Sequence, residues 1–255
     1  DGNRFLDLMA GIATASTGHA HPHVVDAIHD ASSKFLHICG TDFFYEPFSK
    51  LCERLATLVP GMGPKKVFLS NSGSESLDGA LKLVRQHTGR QYVIGFTGAF
   101  HGRTMAAISI NASKKKYRKD FGPLMGGVFH AEYPPSAPHM PEDEDGTGYV
   151  RWIEENLFTR FVDPSEVAAI MIEPILGEGG YVAPPKAFLQ ALRDLCDEHG
   201  ILLVFDEVQS GVGRTGHMYA CEHYGVYPDV LLSAKGIASG MPLGAIIAKE
   251  SVMTW

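Results

Sequence analysis

Short runs of consecutive aliphatic and β-branched residues alternate along the chain with segments whose apolar residues recur every three or four positions. The runs at 67–70, 92–96, 128–133, 167–173, 202–208, 230–233 and 243–249 read as strands. Several are continuously apolar rather than alternating, which is the pattern of strands covered on both faces. The expected fold is therefore α/β: a mostly parallel seven-stranded sheet with helices on both faces. Between the runs, Leu77, Leu81 and Val84 repeat at helical spacing after Ser74. Phe188, Leu189, Leu192, Leu195 and Cys196 do so before Gly200, a residue suited to the left-handed position that ends a helix. Pro22 suits the first turn of a helix whose apolar stripe is Val24, Ala27, Ile28, Ala31 and Phe35. Residues 134–148, rich in proline, acid and glycine, read as an exposed connection. On this pattern residues 1–45 form an N-terminal segment leading into one large domain, 46–255.

Composition narrows the class. At 255 residues and 45% hydrophobic, the chain can bury a sizeable core. A formal net charge of -7 argues against nucleic acid as a partner, since a phosphate backbone is held by clustered Lys and Arg. No apolar run approaches the roughly twenty residues that cross a bilayer, so no membrane partner is expected and the setting reads as cytoplasmic, or an organelle matrix. Cys39, Cys52, Cys196 and Cys221 lie far apart, and read as reduced, mostly buried thiols rather than a metal or disulfide framework. The chain opens at Asp1 and closes at Trp255 just past an apolar segment, as a piece of a longer protein would.

In an open α/β sheet, ligands bind outside the carboxyl ends of the strands, so the polar residues there carry the candidate chemistry. The first strand leads into Ser70-Asn71-Ser72-Gly73-Ser74-Glu75 and a helix, either a phosphate cradle or an ordinary Ser-capped start. The second leads into Gly98-Ala99-Phe100-His101-Gly102-Arg103, where flanking glycines leave Phe100 little local cover and make stacking on a flat ligand an alternative to core packing. The fifth ends in Asp206-Glu207, a carboxylate at the end of an apolar segment that needs a partner, functional or structural. After the sixth, Lys235 stands among small and apolar neighbours. Desolvation there would lower its pKa and free the amine as a nucleophile.

Taken together these segments resemble the class III, fold type I aminotransferases, a family that includes 4-aminobutyrate, ornithine and acetylornithine aminotransferases. The resemblance runs the whole chain, through Thr17-Gly18-His19-Ala20-His21-Pro22, Ser72-Gly73-Ser74-Glu75, Phe100-His101-Gly102-Arg103-Thr104, Glu173-Pro174 with Gly177-Glu178-Gly179-Gly180, Asp206 to Gly216, and Lys235 before Gly240-Met241-Pro242-Leu243-Gly244. It implies pyridoxal 5'-phosphate, held as a Schiff base by Lys235, with Asp206 against the pyridine nitrogen; these two are the implied catalytic residues. Phe100 and Val208 would flank the ring, and Gln209 would meet its hydroxyl. Ser72, Gly73 and Ser74 would hold the phosphate, and His101 and Glu173 complete the implied cofactor set. Arg103 would take a substrate carboxylate, Glu178 would act as a switch carboxylate, and Ile12 would line the entrance. Leu176 departs from the glutamine of many relatives. The implied reaction moves an amino group from an amino acid, an ω-amino acid such as 4-aminobutyrate, to a 2-oxo acid, in a homodimer.

Other readings of the same residues are a decarboxylase or aminomutase of this fold, a non-catalytic homologue, and a nicotinamide-dependent dehydrogenase. The last rests on Gly211-Val212-Gly213-Arg214-Thr215-Gly216, whose G-x-G-x-x-G pattern is weak alone and lies just behind two acids. His19, His21 and His23 alternate as ligands sometimes do, but no carboxylate cluster accompanies them in the sequence, so no metal is expected. The basic run 114–119 reads as a solvated face.

Overall fold

A computed structural model describes residues 1–135 and 144–254. The strands are β1 (Lys65–Ser70), β2 (Tyr92–Phe96), β3 (Val128–Ala131), β4 (Val167–Ile172), β5 (Leu202–Asp206), β6 (Val230–Ala234) and β7 (Gly244–Lys249). The helices are α1 (Ala10–Ala13), a distorted single turn, then α2 (Pro22–Lys34), α3 (Glu46–Leu58), α4 (Gly73–Thr88), α5 (Met105–Ile110), α6 (Thr147–Trp152), α7 (Lys186–His199) and α8 (Cys221–Tyr224). All seven expected strands form, in one sheet of order β1-β7-β6-β5-β4-β2-β3. Only β7 runs antiparallel, pairing with β1 on one side and β6 on the other.

The continuous apolar strands are explained by two cores, one on each face of the sheet. Ile170, Ile172, Leu203, Phe205 and Leu231 pack with Phe188 and Leu192 of α7. Their neighbours Ala169, Met171, Val204, Val230 and Leu232 pack with Leu77, Leu81 and Val84 of α4. Successive residues of a strand face opposite sides, so a sheet sandwiched between helix layers needs an apolar residue at every position. Gly200 ends α7 in the left-handed conformation, as expected (φ 61°). The helix before β2 is capped by Ser72, two residues earlier than Ser74, with the Ser72 hydroxyl accepting from the Glu75 amide.

Three expectations need amendment. The α2 stripe forms on a helix, but none of its residues is buried, and Phe35 is 56% exposed. Of the connection at 134–148, residues 136–143 lie outside the described residues. Its flanks are not fully exposed: Pro134 and Gly146 are buried, with Gly146 against Phe188 and Pro185. Among the cysteines only Cys196 and Cys221 are buried, where desolvation pushes their thiols up, while Cys39 is exposed. No helix among the described residues is long and apolar enough to cross a membrane.

Asp229, immediately before β6, ties the sheet to α7. Its carboxylate accepts from Lys249 Nζ (2.6 Å), from the Arg193 guanidinium (2.9 Å) and from the Leu203 amide (2.8 Å). Burial would raise this carboxyl, but those donors outweigh it and hold it below its ordinary value of 3.8. Its contribution to stability is therefore in place at neutral pH and is lost as pH falls below that value through the depressed one. Asp229→Ala leaves the largely buried Arg193 with only the exposed Asp197 as an ion-pair partner among the described residues and should cost about 3 kcal/mol. In thermal unfolding this reads as a drop of roughly 6–12 °C; a shift under about 2 °C would mean the network does not share load in this way.

Candidate active site

The carboxyl ends of β1, β2, β4, β5 and β6, with the amino end of β7, open onto one cavity of about 330 Å³. Ser72, Gly73, Ser74, Phe100, His101, Glu173, Asp206, Val208, Gln209 and Lys235 all line it. The residues expected around the cofactor are thus brought together from five separate segments. Lys235 and Asp206 face the same space rather than opposite sides of the sheet.

Which of two adjacent carboxylates reaches the cavity follows from strand alternation. Leu203 and Phe205 point towards α7, and Val204 towards α4. The same alternation carries Asp206 to the α4 side, where Oδ2 meets His101 Nδ1 at 2.8 Å and Oδ1 accepts from the Val208 amide at 3.0 Å. Glu207 falls on the other side and accepts from Ser210 Oγ and from the amides of Ala220 and Cys221, anchoring the start of α8. Burial raises its carboxyl despite these bonds. Burial would lower the His101 imidazole, but the Asp206 carboxylate overrides it, and the net shift is upward.

Lys235 follows β6 with φ at 49°, the left-handed region that an L side chain enters only against resistance. That backbone turn directs the side chain into the cavity, where Nζ donates to Gln209 Oε1 at 3.2 Å. Burial lowers the Lys235 pKa more than the nearby Asp206 and Glu173 charges raise it. Glu173 is itself raised, because burial outweighs the His101 charge and the two amides it accepts from, Phe100 (2.7 Å) and Gly177 (2.9 Å).

At the other wall, α4 presents its first turn. The amides of Gly73 and Ser74 have no acceptor among the described residues, and the helix N-terminus carries partial positive charge. A Cβ on Gly73 would sit 2.9 Å from the Val208 methyls, so glycine there keeps the amides and the Val208 wall in close approach. Phe100 lines the cavity with its other side against Tyr117, ring centroids 4.9 Å apart. The buried His101 Nε2 has no partner among the described residues. A desolvated amine, a buried carboxylate, two apolar walls and two free helix amides fit an aromatic aldehyde bearing a phosphate, the chemistry of pyridoxal phosphate.

The three substrate-side candidates lie outside this lining. Ile12 is 55% exposed. Arg103 is exposed, and among the described residues only its backbone amide is engaged, by Ser74 Oγ. Glu178 accepts from Lys114 Nζ (2.6 Å) and Tyr117 OH (2.7 Å), so the basic run 114–119 is partly a site neighbour rather than a purely solvated face. Leu176 is buried in the α7-side core and bridged to Val182, so the departure from glutamine occurs at an apolar position. Asn71 and Gly102, within the quoted site segments, also line the cavity, as does Thr14, which carries no distinguishing signal in the sequence.

Comparison with known proteins bears directly on this site. The model of the family described as "Aminotransferase class-III" matches residues 1–255. The chain is 41% identical over 253 residues to 5-aminovalerate aminotransferase DavT of Pseudomonas aeruginosa, covering 99% of this chain and 58% of that protein. It is 42% identical, with the same coverage, to 4-aminobutyrate aminotransferase GabT of Escherichia coli. The chain thus spans about 58% of the length of these curated relatives. Among solved structures it is similar to taurine:2-oxoglutarate aminotransferase from Bifidobacterium kashiwanohense, in complex with PLP and glutamate. There the TM-score is 0.90 at 30% identity, over 99% of this chain and 57% of that one.

Proposed function

This chain belongs to the class-III aminotransferase family, and we propose that its protein transfers an amino group from an ω-amino acid, such as 4-aminobutyrate, to a 2-oxo acid, using pyridoxal 5'-phosphate. The observation that carries this reading is the convergence of Lys235, Asp206 and the free α4 amides on one cavity. The relatives named for 5-aminovalerate and 4-aminobutyrate support the substrate class.

When bound, pyridoxal phosphate supplies an aldehyde that captures amines and a ring that accepts electrons. The Gly73 and Ser74 amides, backed by the α4 dipole and the Ser72 hydroxyl, would hold the phosphate. Phe100 and Val208, which line the cavity, would flank the ring and exclude water. Gln209 holds the Lys235 amine and would meet the ring hydroxyl. Asp206, itself steadied by His101 and the Val208 amide, would keep a proton at the ring nitrogen through a charge-assisted hydrogen bond. Lys235 would move the proton at the substrate carbon as a general base, its pKa lowered by burial. Glu173 fixes the Phe100 backbone. Arg103 and Glu178, near the cavity, are assigned to substrate carboxylate recognition, and Ile12 to the entrance.

The domain division proposed is 1–45 as leading segment and 46–255 as cofactor domain. A homodimer is proposed because Phe5, Leu6, Leu8, Leu36, Phe43 and Phe44, all in the leading segment, stand more than half exposed. Large apolar side chains exposed in that number along one segment are what an interaction surface would cover.

The test is borohydride reduction of the full-length protein with pyridoxal phosphate, followed by mass mapping, and an ω-amino-acid donor screen. The modified residue should be Lys235, with 2-oxo-acid-dependent turnover of short ω-amino acids. Modification elsewhere, or release of carbon dioxide in place of amino transfer, would overturn the reading.

A further inference from the structure

Residues 100–103, which carry Phe100 and His101, belong to no helix or strand. Gly102 stands at φ 127°, and a Cβ there would collide with the Ser74 side chain, so the segment follows a path that most residues would resist. Hydrogen bonds from outside the segment hold it there. The Phe100 amide donates to Glu173 Oε1 (2.7 Å) and the Arg103 amide to Ser74 Oγ (3.1 Å). The two bonds between them come from one side chain: Asn111 Oδ1 accepts from the His101 amide at 2.6 Å, and Asn111 Nδ2 donates to the Gly102 carbonyl at 2.8 Å.

Asn111 is fully buried at the end of α5, its own amide tied to the Ala107 carbonyl. An amide side chain is the group that both accepts and donates across such a gap without carrying charge. Its two bonds bracket the pair His101-Gly102, and the His101 ring meets Asp206. Nothing in the chemistry of the reaction calls on Asn111 itself, and it does not line the cavity.

We propose that Asn111 is a positioning residue: it pins the backbone on both sides of His101, so that the imidazole stays aligned on Asp206 and Phe100 stays over the cavity. The inference rests on the proposed function for its kinetic consequences, but not for its structural ones. The charged and titratable groups that bear on His101 are Asp206 at the end of β5, Glu173 beyond β4 and His130 on β3.

The test uses the full-length protein with Asn111→Ala and Asn111→Thr, the latter retaining one group that both donates and accepts. The first readout needs no cofactor: ¹³C-histidine NMR, with the His101 signal assigned from a His101→Gln variant. Asn111→Ala should move the His101 titration to lower pH, because burial persists while the Asp206 contact loosens, and Asn111→Thr should restore part of the shift. The second readout is kinetic, with kcat falling roughly 10- to 100-fold in Asn111→Ala and the donor KM changing little. An unmoved His101 titration, whatever the loss of melting temperature, overturns the proposal and leaves Asn111 a structural residue only. A moved titration in a protein without transaminase turnover supports the positioning role and instead sinks the proposed function.

Discussion

Lys235→Ala should remove borohydride-stable attachment of pyridoxal phosphate entirely and lower transamination by about 10³-fold or more, the scale of losing a positioned proton-transfer group. The reason is specific to this lysine. It is the one lysine among the described residues that line the cavity, burial lowers its pKa, and Gln209 Oε1 holds its amine without the neutralising charge of a carboxylate. Lys235→Arg should not rescue, since a guanidinium remains protonated and cannot serve as nucleophile or base. The check is single-turnover kinetics with a donor amino acid, alongside absorbance of the bound cofactor. Because the phosphate cradle lies on α4, far from Lys235 along the chain, Lys235→Ala should still bind pyridoxal phosphate noncovalently. Retained activity within about tenfold of the wild type would assign the chemistry to another group.

Asp206→Asn should lower kcat by about 100-fold, corresponding to about 3 kcal/mol for breaking a buried charged pair. The substitution keeps the shape and removes the charge. His101 then loses the partner that raises it, and burial, which alone lowers it, prevails. The sign of the pH effect follows. In the wild type the raised imidazole contributes stability that is fully present below about 6.5 and is lost as pH rises through the higher folded value. In Asp206→Asn the lowered imidazole instead costs stability below about 6.5, so the dependence should reverse, visible in denaturant unfolding as pH is varied through about 6.5. Asp206→Glu, which retains charge but lengthens the side chain towards His101, should recover the pH dependence more fully than the rate. Equal rates in the wild type and Asp206→Asn would remove the carboxylate from the mechanism.

Much of this site is legible in the order of amino acids, for a reason that particular residues make clear. Asp206 and Lys235 each end an apolar run that is buried on both faces, and a charged residue in that context is out of keeping with its surroundings. Gly73 beside Ser72 and Ser74 signals a helix start with free amides, and the fold adds that the helix begins at Gly73 itself. Asn111 gives no such signal. It follows an apolar stretch like many helix-ending asparagines, and its importance lies in two bonds to a segment nine and ten residues earlier in the chain. Leu176 reads as a departure near the cofactor, but faces the core. The α2 stripe reads as a core face, but lies on the surface of the single chain.

Local and periodic properties are therefore written in the chain itself: where strands and helices form, that the sheet is covered on both sides, and which residue types are chemically out of place. Those follow from short-range sterics and from the alternation of side chains, which need only neighbours. Folding in three dimensions is what makes β7 run against its neighbours, turns Asp206 rather than Glu207 into the cavity, and lets Asn111 grip the loop behind His101. Each of these depends on which distant segments meet, and burial, hydrogen bonding and the resulting pKa shifts are properties of that meeting rather than of any single stretch of chain.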